Sequence, residues 1–75
     1  MKTRIEKIVE AVSNVAGRQV ELTVRGLREF TFSFEGIDLQ AEKRIIGYFG
    51  NLAECNVSRI DDETDKFTSV FVNVK

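Results

Sequence analysis

Apolar residues recur at helical spacing at the start of the chain: Ile5, Ile8, Val9, Val12, Val15 and Ala16 share one narrow stripe, with Lys7, Glu10 and Asn14 opposite. That pattern predicts a helix burying one face. Thr3 and Glu6 have capping-box spacing, in which the threonine oxygen takes an orphan amide and the glutamate reaches back to the cap, so the helix should begin there. Gly17 supplies the left-handed residue that ends it.

From Val20 the period changes to two. Val20, Leu22 and Val24 alternate with Glu21, Thr23 and Arg25, and Phe30, Phe32 and Phe34 then alternate with Thr31 and Ser33, which predicts two strands in a hairpin. Asp38 caps a second helix whose apolar face is Ala41, Ile45, Phe49 and Leu52, with Ile46 and Ala53 at its margin and fraying from Gly50 to Glu54. The segments ECNVSRI and KFTSVFVNV form a second hairpin around the acidic turn DDETD.

The element order is therefore αββαββ, in a single α+β domain over residues 1–75: a two-layer sandwich with two helices on one face of a four-stranded antiparallel sheet. The second and fourth strands are the most apolar and belong in the middle, which leaves the first and third at the edges. The resulting order, 3-4-2-1, is that of a ferredoxin-like βαββαβ sheet whose first strand has moved to the C-terminus, a circular permutation.

Register follows from burial. A two-residue turn at Gly26-Leu27 would set Leu22 opposite Thr31 and drive the phenylalanines to the face opposite the aliphatics. A loop of three or five residues instead aligns Val24 with Phe30, Leu22 with Phe32 and Val20 with Phe34, so that all six share one face. Burying each such side chain is worth about 1.5–3 kcal/mol, more than turn preference, so the longer loop wins and the phenylalanines are core.

The last strand does not alternate cleanly. Thr68, Val70, Val72 and Val74 form its longer apolar face, which leaves Phe67 and Phe71 on the side away from the helices. A four-residue loop would pair Ile60 with Phe67 and send Val57 to the core, whereas a three-residue loop would set Val57 beside Phe71 outside. Either way an apolar strip of Phe67, Phe71 and Ile60 or Val57 is expected on the open face, fringed by Arg59, Thr31 and Ser33, and such a strip marks an interaction site.

Composition narrows the chemistry. The chain has 75 residues, no histidine, no proline and one cysteine, with a formal net charge of −1. Six basic and three acidic side chains fall in residues 1–28 against five and nine in 29–75, a mild polarity without a basic patch. A chain this short buries only about 60% of its unfolded surface, which favours association with a partner or a second copy. The lone Cys55 cannot form an internal disulfide and points to a reducing, cytoplasmic setting. The charged N-terminal turns and the lack of a long apolar run give no reason to expect a signal peptide or a membrane span.

Without histidine the commonest general base and metal ligand are missing, and one cysteine alone makes neither a Cys-His nucleophile nor a zinc site. Cys55 reads as a small apolar residue. The carboxylates of DDETD lack the spacing of a calcium loop and read as a solvated turn, able at most to steer a basic partner. Gly47 and Gly50 in GYFG do not make a phosphate loop; Gly50 ends the helix, and Gly47 reads as a tolerated helical glycine, the alternative being room for another chain's backbone. Lys43 and Arg44, and Lys2, Arg4 and Lys7, are interleaved with glutamates and read as solvated faces.

The expectation is thus a non-enzymatic protein-binding module of inhibitor or adaptor type, plausibly a homodimer, with no cofactor and no metal. Its contacts are the open face around Phe71, with Phe67, Ile60, Val57 and Arg59, and the free edge of the first strand. The alternative is a nucleic-acid-binding domain on the same face, with Phe71 stacked on a base and Arg25 or Arg59 on phosphate. Glu21, Glu29 and Glu35 nearby argue against it.

Overall fold

In the computed structural model, which describes residues 2–75, the elements are α1 (Arg4–Ala16), β1 (Glu21–Val24), β2 (Glu29–Glu35), α2 (Leu39–Phe49), a 3-10 turn (Gly50–Leu52), β3 (Ala53–Asp61) and β4 (Lys66–Val74). Each helix starts where a side chain takes an orphan amide: Thr3 Oγ1 accepts from Glu6 N at 3.1 Å, and Asp38 Oδ1 from Ala41 N at 3.1 Å. The glutamate of the first box does not reach back to the cap amide; its carboxylate accepts the Thr3 hydroxyl instead. Gly17, at φ 77°, closes α1 in the left-handed region that a side chain would strain.

The strands form one antiparallel sheet in the order β1-β2-β4-β3, the 3-4-2-1 arrangement predicted from burial. Both helices pack on the same face, where Val12 and Ala16 of α1 and Ala41 and Ile45 of α2 meet Phe32, Phe34, Val70 and Val72. In the first hairpin Leu22 stands opposite Phe32 and Val24 opposite Phe30, the predicted register; Leu22, Phe30 and Phe32 join the core, whereas Val24, at the end of its strand, stays 47% exposed. Arg25 N–H donates to the Glu29 carbonyl at 2.9 Å, which leaves a loop of three residues from Gly26 to Arg28. Phe32, fully buried, sits between Leu22 and Val70 with its ring 5.6 Å from that of Phe49.

Two details depart from the sequence reading. Val20 is buried but lies outside the ladder, because its N–H donates to Ser13 Oγ at 3.2 Å, so the predicted pairing with Phe34 does not form and β1 has only four residues. Leu52 is not on the apolar face of α2; Gly50 adopts φ 54°, ψ −128° and turns the chain into β3, leaving Leu52 72% exposed. The predicted stop at Gly50 is what displaces it.

Among the described residues no helix is long and apolar enough to cross a membrane.

Candidate functional site: the open face of the sheet

The face that no helix covers carries Thr23 from β1, Thr31 and Ser33 from β2, Phe67, Ser69 and Phe71 from β4, and Asn56, Ser58 and Ile60 from β3, as the cross-strand pairs require. Phe67 and Phe71 are half-buried and Ile60 is 49% exposed. Ile60 stands directly opposite Phe67, and Phe71 lies beyond Ser69 on the same strand, so the apolar strip is real and interrupted once. Thr31 and Ser33 border the strip on β2, opposite Phe71 and Ser69, and are themselves buried.

Two of the predicted site residues point the other way. Asp62 N–H donates to the Asp65 carbonyl at 2.8 Å and Lys66 pairs with Asp61 at 3.5 Å, closing a four-residue loop. That register aligns Val57 with Val70 and Arg59 with Thr68. Val57 therefore packs on the core. Arg59 shares its side of the strand, since residues two apart face alike, and it belongs to the helix layer and not to the open face.

There Arg59 makes a two-pronged bond to Glu42 of α2, Nε to Oε1 at 2.7 Å and Nη2 to Oε2 at 2.9 Å. The hydrogen bond to Glu42 raises the guanidinium pKa, with the carboxylate charge adding to the effect and partial desolvation opposing it. Glu42 is 4% exposed at its side chain and Arg59 47%, so the buried member depends on the accessible one. Sequence reasoning treated Glu42 as one of the interleaved glutamates of a solvated face. Its position next to Ala41 and three residues before Ile45, at the margin of the apolar stripe, was the signal that it is covered.

Two hollows flank Phe67. One of about 780 Å³ is walled by Ile60, Lys66, Asp65 and Gly36, the other of about 320 Å³ by Glu21, Ser33 and Phe34, and both reach Arg18 and Glu35. Arg18 closes the end of the core: its guanidinium lies 4.4 Å from the Phe34 ring centroid, donates to the Glu35 carbonyl at 2.7 Å and meets Asp38 at 3.8 Å. Phe67 is thus an apolar ridge between hollows whose rims carry both charges. At the other end, Arg25 lies over Phe71, 5.4 Å from the centroid, a cation–π contact worth about 0.5–1 kcal/mol at an exposed site. Thr31, paired with both Thr23 and Phe71, holds its hydroxyl there without a hydrogen-bond partner among the described residues.

Among the described residues no three of His, Cys, Asp and Glu converge within ligating reach. Cys55 is on the helix side of β3, half-buried beside the core, and burial pushes its thiol pKa up. Because the thiolate is the nucleophile, Cys55 is expected to react several-fold more slowly with iodoacetamide at mildly alkaline pH than cysteine in a short peptide. A rate equal to the peptide's would contradict its burial. Gly47 has open space around it: apart from its chain neighbours and the backbone of its own helix, no atom of the described residues lies within 4 Å of where a Cβ would stand.

Compared with the known protein families, the curated proteins and the solved structures, the chain matches none.

Proposed function

We propose that this chain is a small non-enzymatic protein-binding module, of inhibitor or adaptor type, that works by occupying a partner's surface with the open face of its sheet. The observation that carries the reading is the pair Phe67 and Phe71, half-buried on a face with no covering layer, in a strand whose other face already fills the core. Completing the burial of an aromatic side chain is favourable by a good part of about 1.5–3 kcal/mol, and the neighbouring positions are threonine and serine, which need no cover. The mixed charges around Phe67 give such a contact a polar rim.

The test is affinity capture from the native host with the natural chain and with Phe67→Ser/Phe71→Ser, beside a salt-dependent nucleic-acid shift assay. A protein held by the natural chain and at least tenfold less by the variant, with circular dichroism unchanged, is the expected result. Equal capture by both, or none by either, would remove the reading. Nucleic acid retained at moderate salt and lost with Phe71 would put the stacking alternative in its place, with Arg25 and not Arg59 as its cation.

A further inference from the structure

The two edges of the sheet are unequal. β1 has four residues, whereas β3 has nine, pairs with β4 at every position from Ala53 to Asp61 without a bulge, and contains neither lysine nor proline. Short length, bulges, proline and charged side chains are the usual means by which an edge strand is kept from pairing. β3 is long and has no bulge or proline; its charges are Glu54 and Asp61 near its ends and Arg59, which is already paired with Glu42, and among the described residues its outer row of amides and carbonyls has no strand beside it. Sequence reasoning placed the first and third strands at the edges and named the first as a contact; the longer of the two edges is β3.

The layer above this edge is largely apolar, with the exposed Lys43 at its outer margin. Glu42 reaches β3 through Arg59, so the side of α2 that carries Glu42 overhangs β3. Helical spacing puts Leu39 and Ile46 on that same side, three residues before and four after. Leu39 is 55% exposed and Ile46 36%; Leu52 precedes the strand, and Cys55 and Val57 lie half-buried along it. The Glu42–Arg59 pair leaves no net charge in the middle of this flank.

We infer that β3 and the overhanging side of α2 form a two-fold interface between two copies of this chain, joining their sheets into one antiparallel sheet of eight strands. The strand is self-complementary about its midpoint, Val57. With Val57 on the axis all nine residues pair, Asn56 with the second copy's Ser58, Cys55 with its Arg59, Glu54 with its Ile60 and Ala53 with its Asp61, and no like charges face each other. Moving the axis to Ser58 sets Glu54 against Asp62, and moving it to Asn56 leaves only seven residues paired. An axis between residues turns one copy's helices to the other side of the sheet.

The inference rests on the strand edge and not on the aromatic pair, although Asn56 and Ser58 border both surfaces, so the Phe67/Phe71 variant is what tells the two readings apart.

Light scattering coupled to gel filtration, run over a dilution series, tests it. The natural chain is expected at twice 8.5 kDa, and Asn56→Lys/Ser58→Lys, which places lysines directly opposite one another at two exposed positions, at the monomer mass with unchanged circular dichroism. Phe67→Ser/Phe71→Ser should remain dimeric, which separates this surface from the open face. In a Cys55→Ser background, Val57→Cys should cross-link on oxidation and Asn56→Cys should not. A natural chain that is monomeric throughout, a dimer that the lysines leave intact, or cross-linking through position 56 in place of 57 would each overturn the proposal.

Discussion

Phe32→Ala is expected to remove about 3–5 kcal/mol of stability, the transfer free energy of the ring plus the cavity it leaves. A chain of 75 residues has about 4–11 kcal/mol in all, so most of the folded population is lost at the lower end of that range and the urea midpoint falls steeply at the upper end. The size of the effect comes from position: Phe32 is fully buried on a central strand, between Leu22 of β1 and Val70 of β4 and beside the Phe49 ring. Phe71→Ala, on the open face of the same sheet, is expected to cost less than half as much, since its ring already meets water and its main contact is Arg25. Urea denaturation followed by circular dichroism compares the two directly. A larger loss from Phe71→Ala than from Phe32→Ala would mean that the helices cover the other face.

The Glu42–Arg59 pair gives the second large effect, and its asymmetry is the point. Arg59→Met strands a carboxylate that is 4% exposed, whereas Glu42→Met strands a guanidinium that is 47% exposed and can turn to water. Removing one partner of a covered pair is costly because the other is left uncompensated, while replacing both by apolar side chains of similar size is often neutral. The unfolding midpoint is therefore expected to fall furthest for Arg59→Met, less for Glu42→Met, and least for the double variant. Equal losses from the two single variants would show that Glu42 reaches water.

These residues also show where sequence reasoning reaches and where it stops. The face assignment of the first hairpin was legible because six large side chains depend on one register, an energy far larger than any turn preference. The central placement of β2 and β4 followed from the same burial argument. Val57 was left open because two loop lengths gave comparable patterns, and the choice was made by local bonds in the acidic turn, Asp62 to Asp65 and Asp61 to Lys66, each worth little alone. Arg59 was misplaced through neglect of its link to Val57: once the four-residue loop sends Val57 inward, alternation sends Arg59 with it. Leu52 was extrapolated from helical spacing past a glycine whose backbone ends the helix. Of the candidate site, Phe67, Phe71 and Ile60 were readable from strand alternation, while the hollows beside Phe67 depend on Arg18, a contact between distant parts of the chain.

The adjacency of β2 and β4 has a consequence for how the two αββ halves relate. Their seam runs residue for residue from Glu29–Asn73 to Glu35–Phe67, and at one end it is tied by Gly36 N–H to the Lys66 carbonyl at 2.7 Å and by the Thr68 hydroxyl to the Gly36 carbonyl at 2.8 Å. Neither half keeps its most apolar strand covered by its own elements; each supplies the inner border of the other. The molecule is thus an interlocked whole, and because this seam joins segments some forty positions apart, it forms only by closing a long loop, the kind of contact that goes with slower folding.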